Sequence, residues 1–268
     1  MSGFSSEWLA LREPLDMRAR NKDVLDAVAA AFGDRDALSI VDFGSGTGST
    51  LRALTARLPQ RQAWRLVDND PVLLAEAFAK DRPRDVAVET VQFDLNDDVG
   101  PLLDDGAGLL TSSALIDLVS EGWMANLAAA AAARRLPVYI ALTYDGRVAF
   151  SDADPLDEQV IAAVNAHQLG NKGFGPALGP RAADFATRIF GTFGHAVVHG
   201  QSDWVAGASD AAFQRELLLG WRQAAAEVDK IPHDALEGWF DRRCKRAETG
   251  ALTLTVGHVD FFAQPRPR

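Results

Sequence analysis

Residues 38–54 read LSIVDFGSGTGSTLRAL and give the clearest indication of the fold class. The apolar, β-branched run at 39–43 predicts a buried strand, the glycines at 44–48 predict a tight turn, and 49–58 predicts a helix. Glycine permits positive φ and lets a ligand lie against the backbone, while free N–H groups at the helix start suit polar ligand groups. The stretch therefore predicts a loop that holds a nucleotide cofactor.

Two further predicted strands end on acids. Residues 65–67 run into Asp68 and residues 86–93 run into Asp94, so each of the first three strands closes on a carboxylate. In open α/β sheets, ligands bind outside the carboxyl ends of the strands. The three acids are therefore expected at one edge of the sheet, beside the glycine loop.

This order of a glycine loop and acid-tipped strands resembles the class I S-adenosylmethionine-dependent methyltransferases. In that family the glycine loop lies under the methionine part of the cofactor. The acid after the second strand accepts hydrogen bonds from both ribose hydroxyls, and the acid after the third binds the adenine amino group. The resemblance implies S-adenosylmethionine as the cofactor, with a site made by Asp42, Gly44, Ser45, Gly46, Gly48, Asp68, Asn69, Asp94 and Leu95.

Two more cofactor contacts are expected outside these motifs. Ser112 ends the fourth predicted strand, 108–112, at the ligand edge of the sheet. Many families of this fold bring an N-terminal basic residue to the cofactor carboxylate, and among Arg12, Arg18 and Arg20 we favour Arg20. The alternative for each arginine is the solvated face of an ordinary helix.

The competing fold is the dinucleotide-binding one, whose fingerprint is GxGxxG with an acid about 20 residues further on. The chain departs from that fingerprint because its third glycine comes one residue early and position 49 is serine. A second acid-tipped strand also follows Asp68. An NAD-dependent oxidoreductase is therefore the less favoured alternative.

The predicted architecture is an α/β fold: a doubly wound, seven-stranded, mostly parallel sheet with helices on both faces and helical cap elements. In the resembled family the last strand, here 252–256, inserts antiparallel between the fifth and sixth. Within one methyltransferase domain over 1–268 we expect four segments. They are an N-terminal helical cap at 1–36 with two helices joined near Pro14, a cofactor-binding core at 37–150, a substrate loop at 151–181 and a helical insertion at 205–249.

Composition restricts the partners. The net charge of -10 and the pI near 5.0 argue against a nucleic-acid substrate, because phosphate neutralisation needs a basic surface. The single cysteine, Cys244, excludes an intrachain disulfide and suits a reducing compartment. No signal-like segment and no long uncharged apolar run is present. We expect a cytoplasmic protein that acts on a small molecule and does not bind a membrane.

The acceptor side is predicted from the later strand ends and the glycine-rich loop. His167 is the candidate general base for a hydroxyl acceptor, because its ordinary pKa lies near neutrality. Its alternative is a surface helix residue, and Asp117 could instead complement a helix dipole. His195 and His199 share a strand face without a partnering acid motif, so no metal site is predicted. The candidate substrate contacts are Ser113, Asp117, Trp123, Tyr144, Asn165, Lys172, Phe174 and Trp204.

Together these features predict an S-adenosylmethionine-dependent methyltransferase for a small molecule, with a hydroxyl or carboxylate oxygen as the favoured acceptor. The alternative in a different class is a protein that binds the cofactor without transferring methyl, because fold does not fix function.

Overall fold

The computed structural model describes residues 4–104 and 106–267. Eight strands form one sheet in the order β3-β2-β1-β4-β5-β8-β6, with the short β7 paired to β8. The strands are β1 Ala37–Phe43, β2 Arg61–Asp68, β3 Val86–Gln92, β4 Leu109–Ser113, β5 Val138–Phe150, β6 His195–Gln201, β7 Trp204–Ala206 and β8 Leu254–Pro265.

Helices cover both faces of this sheet. Neighbouring strand residues point to opposite faces, so Ile40 joins the apolar core on one side while Val41 joins the core on the other. The helices are α1 Ser6–Ala19, α2 Lys22–Phe32, α3 Ser49–Leu54, α4 Pro71–Ala79, α5 Gly100–Asp104, α6 Glu121–Ala133, α7 Asp157–Gln168, α8 Ala182–Thr192, α9 Ala211–Val228 and α10 His233–Glu248. In the described ranges, no helix combines the length and apolar character that crossing a bilayer requires.

The topology confirms the predicted doubly wound sheet. Strands β1 to β5 run parallel, and β8 runs antiparallel between β5 and β6. The prediction of seven strands missed β7, a three-residue strand that pairs with the start of β8. So short a strand carries no periodic signal of its own.

The N-terminal helices divide at a different place from the predicted one. Helix α1 runs through Pro14, and the break falls at Arg20 and Asn21. The Asn21 side chain accepts a hydrogen bond from the Val24 N–H and so caps α2. Local capping chemistry, rather than the proline, therefore sets the boundary.

The predicted loop at 151–181 contains a complete helix, α7. Asp157 lies in its first turn, and the apolar residues Val160, Ala163 and Val164 are buried at helical spacing. The glycine-rich part after Leu169 is the remaining irregular segment. Flanking prolines and glycines hid the helical periodicity of 157–168.

Candidate active site

The glycine loop between β1 and α3 has the left-handed backbone that its sequence predicts. Gly44, Gly46 and Gly48 have φ values of 63°, 51° and 81°, which side-chain-bearing residues rarely adopt. Asp68, at the end of β2, accepts hydrogen bonds from the Gly46 N–H at 2.8 Å and the Asp70 N–H at 3.0 Å. The carboxylate thus ties the second strand to the glycine loop.

A cavity of about 230 Å³ opens beside this loop. It lies at the carboxyl ends of β1, β2 and β3, under the N-terminal helix α1. The Ser45 hydroxyl is buried there without a hydrogen-bond partner. Seven of the predicted cofactor residues line it: Gly44, Ser45, Gly46, Asp68, Asn69, Asp94 and Leu95. We call it the cofactor-side cavity.

Asp94 faces this cavity as an ionised acceptor. Its carboxylate accepts hydrogen bonds from the backbone and side-chain N–H groups of Asn96 at 3.0 and 2.9 Å. These bonds, the backbone one first, hold the pKa of Asp94 below its ordinary value. The other lone pairs of the carboxylate are available to a ligand amino group.

Three predicted cofactor residues lie behind the cavity wall. Gly48 begins α3, and Ser112 donates its hydroxyl to the Phe43 carbonyl at 3.0 Å. Asp42 is fully buried, with Oδ1 accepting from the Thr111 hydroxyl at 2.8 Å and Oδ2 without a partner. Burial raises the pKa of Asp42 to about 7. These three residues therefore support the glycine loop without lining the cavity.

Arg20 belongs to a buried network next to the site. Its guanidinium donates to the Tyr139 hydroxyl at 3.1 Å, and Tyr139 donates to Asp260 at 3.3 Å. Asp260 also accepts from the Leu142 N–H at 2.7 Å, where Leu142 has a φ of 55°. Arg20 contacts Ser113 at 3.4 Å but does not line the cavity. In this arrangement it stabilises the irregularity within β5 between Ile140 and Thr143.

Helix α1 covers the cofactor-side cavity and is attached on two sides. Glu13 accepts from the Arg52 guanidinium of α3 at 2.7 Å. Trp8 stacks on Phe213 of α9, with ring centroids 5.4 Å apart. The helix therefore bridges the glycine-loop side and the helical insertion.

A second cavity of about 480 Å³ lies beyond the first, which is within the ~300–1,000 Å³ usual for small-molecule sites. Four residues line both cavities, so the two adjoin: Phe4, Arg12, Ala114 and Leu118. The aromatic walls of the second come from Trp8, Tyr144, Trp204 and Trp221, and its polar lining includes Arg12, Asp117, His167, Lys172, Glu216 and His258. We call it the acceptor chamber.

The structure divides the predicted substrate residues among three places. Asp117, Tyr144, Lys172, Trp204 and the candidate base His167 line the acceptor chamber. Ser113 and Phe174 line the cofactor-side cavity instead.

Two predicted substrate residues line neither cavity. The Trp123 indole donates to the Leu95 carbonyl at 2.6 Å and packs edge-on against Phe174. Asn165 accepts from the Tyr144 hydroxyl at 2.7 Å and so positions a chamber wall. Trp123 lies on the cofactor side because its hydrogen bond draws it to the loop after β3.

His167 has both ring nitrogens engaged. Lys172 donates to Nδ1 at 3.0 Å, so Nε2 carries the hydrogen and donates to Glu227 at 2.9 Å. To accept a proton from a substrate, the ring would first have to exchange one of these partners. The catalytic role of His167 stays a prediction.

Several chamber residues were not predicted as substrate contacts from the sequence. Trp8 and Arg12 come from α1, Trp221 from α9 and His258 from β8. Trp221 belongs to an apolar helical stripe that is more typical of a core position. The spacing of Trp8 and Arg12, one helical turn apart, was the available signal that both face the same side.

Comparison with solved structures places this arrangement among known folds. A cyclopropane-fatty-acyl-phospholipid synthase-like protein from Lactobacillus casei ATCC 334 matches with a TM-score of 0.51 and 14% identity, over 97% of this chain and 94% of that one. The cyclopropane synthase MmaA2 from Mycobacterium tuberculosis matches with a TM-score of 0.50 and 11% identity, over 97% and 95%. The chain has the class I methyltransferase fold.

A third match shares this class I methyltransferase fold. The mycolic acid cyclopropane synthase CmaA1, solved with SAH and CTAB, has a TM-score of 0.50 and 10% identity over 90% of this chain and 82% of that one. No protein-family model matches the chain, and no curated protein matches it in sequence. The antiparallel β8 between β5 and β6 separates the fold from the parallel dinucleotide-binding alternative.

Proposed function

We propose that the protein binds S-adenosylmethionine in the cofactor-side cavity and methylates a small molecule held in the acceptor chamber. The observation that carries the proposal is that the two cavities adjoin at Ala114 and Leu118, after β4. A group held in one cavity can therefore meet a group held in the other. When bound, S-adenosylmethionine supplies an electrophilic methyl group on a sulfonium.

The lining of the cofactor-side cavity fits this cofactor chemically. Asp68 and Asp94 offer carboxylate oxygens to ribose hydroxyls and an adenine amino group, and the unpartnered Ser45 hydroxyl needs a polar ligand atom. Gly44 and Gly46 line this cavity in the left-handed conformation and carry no side chain that would hold a ligand away from the loop. The fold neighbour CmaA1 was solved with SAH, which supports the same cofactor class.

The chain's contribution to methyl transfer is alignment and exclusion of water. Helix α1 covers the glycine loop, and α9 with β7 walls the chamber through Trp221 and Trp204. Holding two reactants in line can lower a barrier by about 7–11 kcal/mol. The aromatic walls suit an acceptor with an apolar or aromatic body, and a hydroxyl or carboxylate oxygen is the favoured methyl acceptor.

Asp68→Ala should weaken SAH binding by about 2–4 kcal/mol, because it removes a charge-assisted acceptor for the ribose. Isothermal titration calorimetry measures the change. Asp70→Asn is the matched control, since the amide oxygen can still cap α4 at the Val72 N–H. Tight binding of NAD without any response to SAH or S-adenosylmethionine would instead support the oxidoreductase alternative.

A labelling experiment tests methyl transfer itself. The protein is incubated with methyl-labelled S-adenosylmethionine and a metabolite extract, and the labelled products are identified by mass spectrometry. We expect label in a small molecule. Label confined to protein or RNA would contradict the small-molecule assignment, and tight cofactor binding with no label anywhere would support the non-catalytic class.

His167→Ala tests the predicted base once an acceptor is known. If His167 takes the acceptor proton, the turnover rate should fall about 100-fold or more, with SAH affinity unchanged. Glu227→Gln is the control, because it keeps a hydrogen-bond partner for the ring. An unchanged rate in His167→Ala would remove His167 from the mechanism.

A further inference from the structure

Asp117 stands out among the groups that line the acceptor chamber. It lies in the turn that follows β4, and its side chain is 8% exposed with Oδ1 lacking a hydrogen-bond partner. The same turn carries Ala114 and Leu118, which border both cavities. The described lining residues of the chamber include two carboxylates, Asp117 and Glu216. Asp117 is buried, whereas Glu216 is exposed.

An unpartnered buried carboxylate oxygen is unusual, because buried polar groups almost always have a partner. A backbone hydrogen bond accounts for the position of Asp117 but provides no donor for its side-chain Oδ1. Its carbonyl accepts from the Gly179 N–H at 2.8 Å, which fixes the turn against the glycine-rich loop. Within the described residues, Oδ1 of Asp117 therefore has no hydrogen-bond donor.

The cations near Asp117 already have partners. Arg12 pairs with Asp16 at 2.9 Å and lies over the Trp204 ring. Lys172 donates to His167 at 3.0 Å. Burial raises the pKa of Asp117 to about 6, opposed first by a hydrogen bond from its own backbone N–H and then by the charges of Arg12 and Lys172. Asp117 is therefore mostly ionised at neutral pH.

Other candidate proton acceptors in the chamber are less suited. His258 donates from Nδ1 to the Val256 carbonyl at 3.0 Å, and burial lowers its pKa to about 3. The Tyr144 hydroxyl donates to Asn165, and burial raises its pKa further. His167 is engaged at both nitrogens.

We propose that Asp117 binds the hydroxyl group of a neutral acceptor with an aromatic or apolar body and takes up its proton as the methyl group is transferred. This inference rests on the proposed function. The hydroxyl oxygen forms a bond to the methyl carbon, the electron pair of the broken carbon–sulfur bond stays on sulfur, and the hydroxyl proton passes to the Asp117 carboxylate. The products are a methyl ether, SAH and a protonated Asp117, which returns its proton to solvent.

The charges around Asp117 favour a neutral hydroxyl over the other acceptor classes. A carboxylate acceptor would be repelled by Asp117 itself. An amine is an ammonium ion at neutral pH, without the lone pair that methyl transfer needs, and Arg12 and Lys172 would repel it. These same cations stabilise the negative charge that develops on a hydroxyl oxygen as it loses its proton. The inference thus narrows the proposed oxygen acceptors to hydroxyl compounds.

Calorimetry on the SAH-saturated protein tests this inference with three probes that share one ring system: 2-naphthol, naphthalene-2-carboxylate and 2-(aminomethyl)naphthalene. We expect wild type to bind 2-naphthol at least about tenfold more tightly than either charged probe. In Asp117→Asn the preference over the carboxylate should fall to about threefold or less, with SAH affinity unchanged and a circular dichroism spectrum that matches wild type. Asp184→Asn, an exposed carboxylate that lines neither cavity, should leave the preference intact.

The outcomes distinguish failure of the proposed function from failure of the Asp117 proposal. Absence of SAH binding to wild type would contradict the proposed function. The Asp117 inference alone would be overturned if wild type bound SAH normally but preferred a charged probe, did not discriminate between the probes, or bound none of them. A preference for 2-naphthol that persists unchanged in Asp117→Asn would overturn it too.

Discussion

Replacing Arg243 with methionine should lower the free energy of unfolding by about 3–5 kcal/mol, because it leaves a buried carboxylate without its cation. Arg243 of α10 is 1% exposed and forms an ion pair with Asp157 at the start of α7. It also donates to the Asp152 carbonyl at 3.0 Å and lies over the Phe150 ring. Urea denaturation followed by circular dichroism measures the loss.

The neighbouring residue on α10 provides the matched control. Arg242 pairs with Asp154 at 2.6 Å, and because the arginine is half exposed and the Asp154 carboxylate keeps the Leu156 N–H as a donor, Arg242→Ala should cost clearly less than Arg243→Met. The double variant with Asp157→Asn removes both buried charges, keeps an acceptor for the Trp239 indole, and should recover much of the stability lost in Arg243→Met. Equal losses in Arg243→Met and Arg242→Ala would show that the buried pair has no special weight.

Asp42→Asn should change how stability depends on pH. Burial raises the pKa of Asp42 from 3.8 to about 7, with a smaller contribution from Asp68, while Thr111 and Arg20 oppose the rise. The folded state therefore holds a proton that the unfolded chain releases, and the contribution of Asp42 to stability falls as pH rises through this window. Between roughly pH 4.5 and 8, wild type should lose about 3 kcal/mol relative to Asp42→Asn.

Chemical denaturation of both proteins across this pH range checks the difference. Thr111→Val is the companion variant, because it removes the hydroxyl that donates to Oδ1 of Asp42 at 2.8 Å. The ionised form then loses a stabilising bond, so the pKa of Asp42 should rise further and the decline in stability should extend to higher pH. A difference between wild type and Asp42→Asn that stays constant with pH would contradict the raised pKa.

The cofactor side of the site could be predicted from sequence because it is built from local motifs. The glycine loop follows its own strand, and Asp68 and Asp94 are placed by the strands they end. The neighbouring order of β1, β2 and β3 then brings all three together. Seven of the predicted cofactor residues consequently line one cavity.

The acceptor chamber could be predicted only in part, because its walls meet through long-range packing. Trp8, Trp204 and Trp221 come from α1, β7 and α9, and their proximity depends on where α9 packs. The hydrogen bond from the Trp204 indole to Asp16 at 2.9 Å links segments 188 residues apart. Trp204 was identified by its place after a strand, whereas Trp8 and Trp221 had no such marker.

Proton-accepting groups were the hardest to assign. His167 was favoured for the ordinary pKa of histidine. Its contact with Glu227 follows from the packing of α7 against α9, and its contact with Lys172 follows from the loop after α7. Asp117 was named as a substrate contact, but its burial and its free oxygen are properties of the folded turn. Sequence identifies which groups can titrate, and the fold decides which of them can reach a ligand.

The placement of β8 has a consequence for the order in which the protein is made. Strand β8 pairs with β5 on one side and with β6 and β7 on the other, so β6 and β7 have no described strand partner until residues 254–265 have been synthesised. During translation the β1–β4 half of the sheet can pair while the other half waits. Because loop closure must precede such long-range pairing, this last step is expected to be slow. The cofactor-side cavity can therefore form during translation before the acceptor chamber forms.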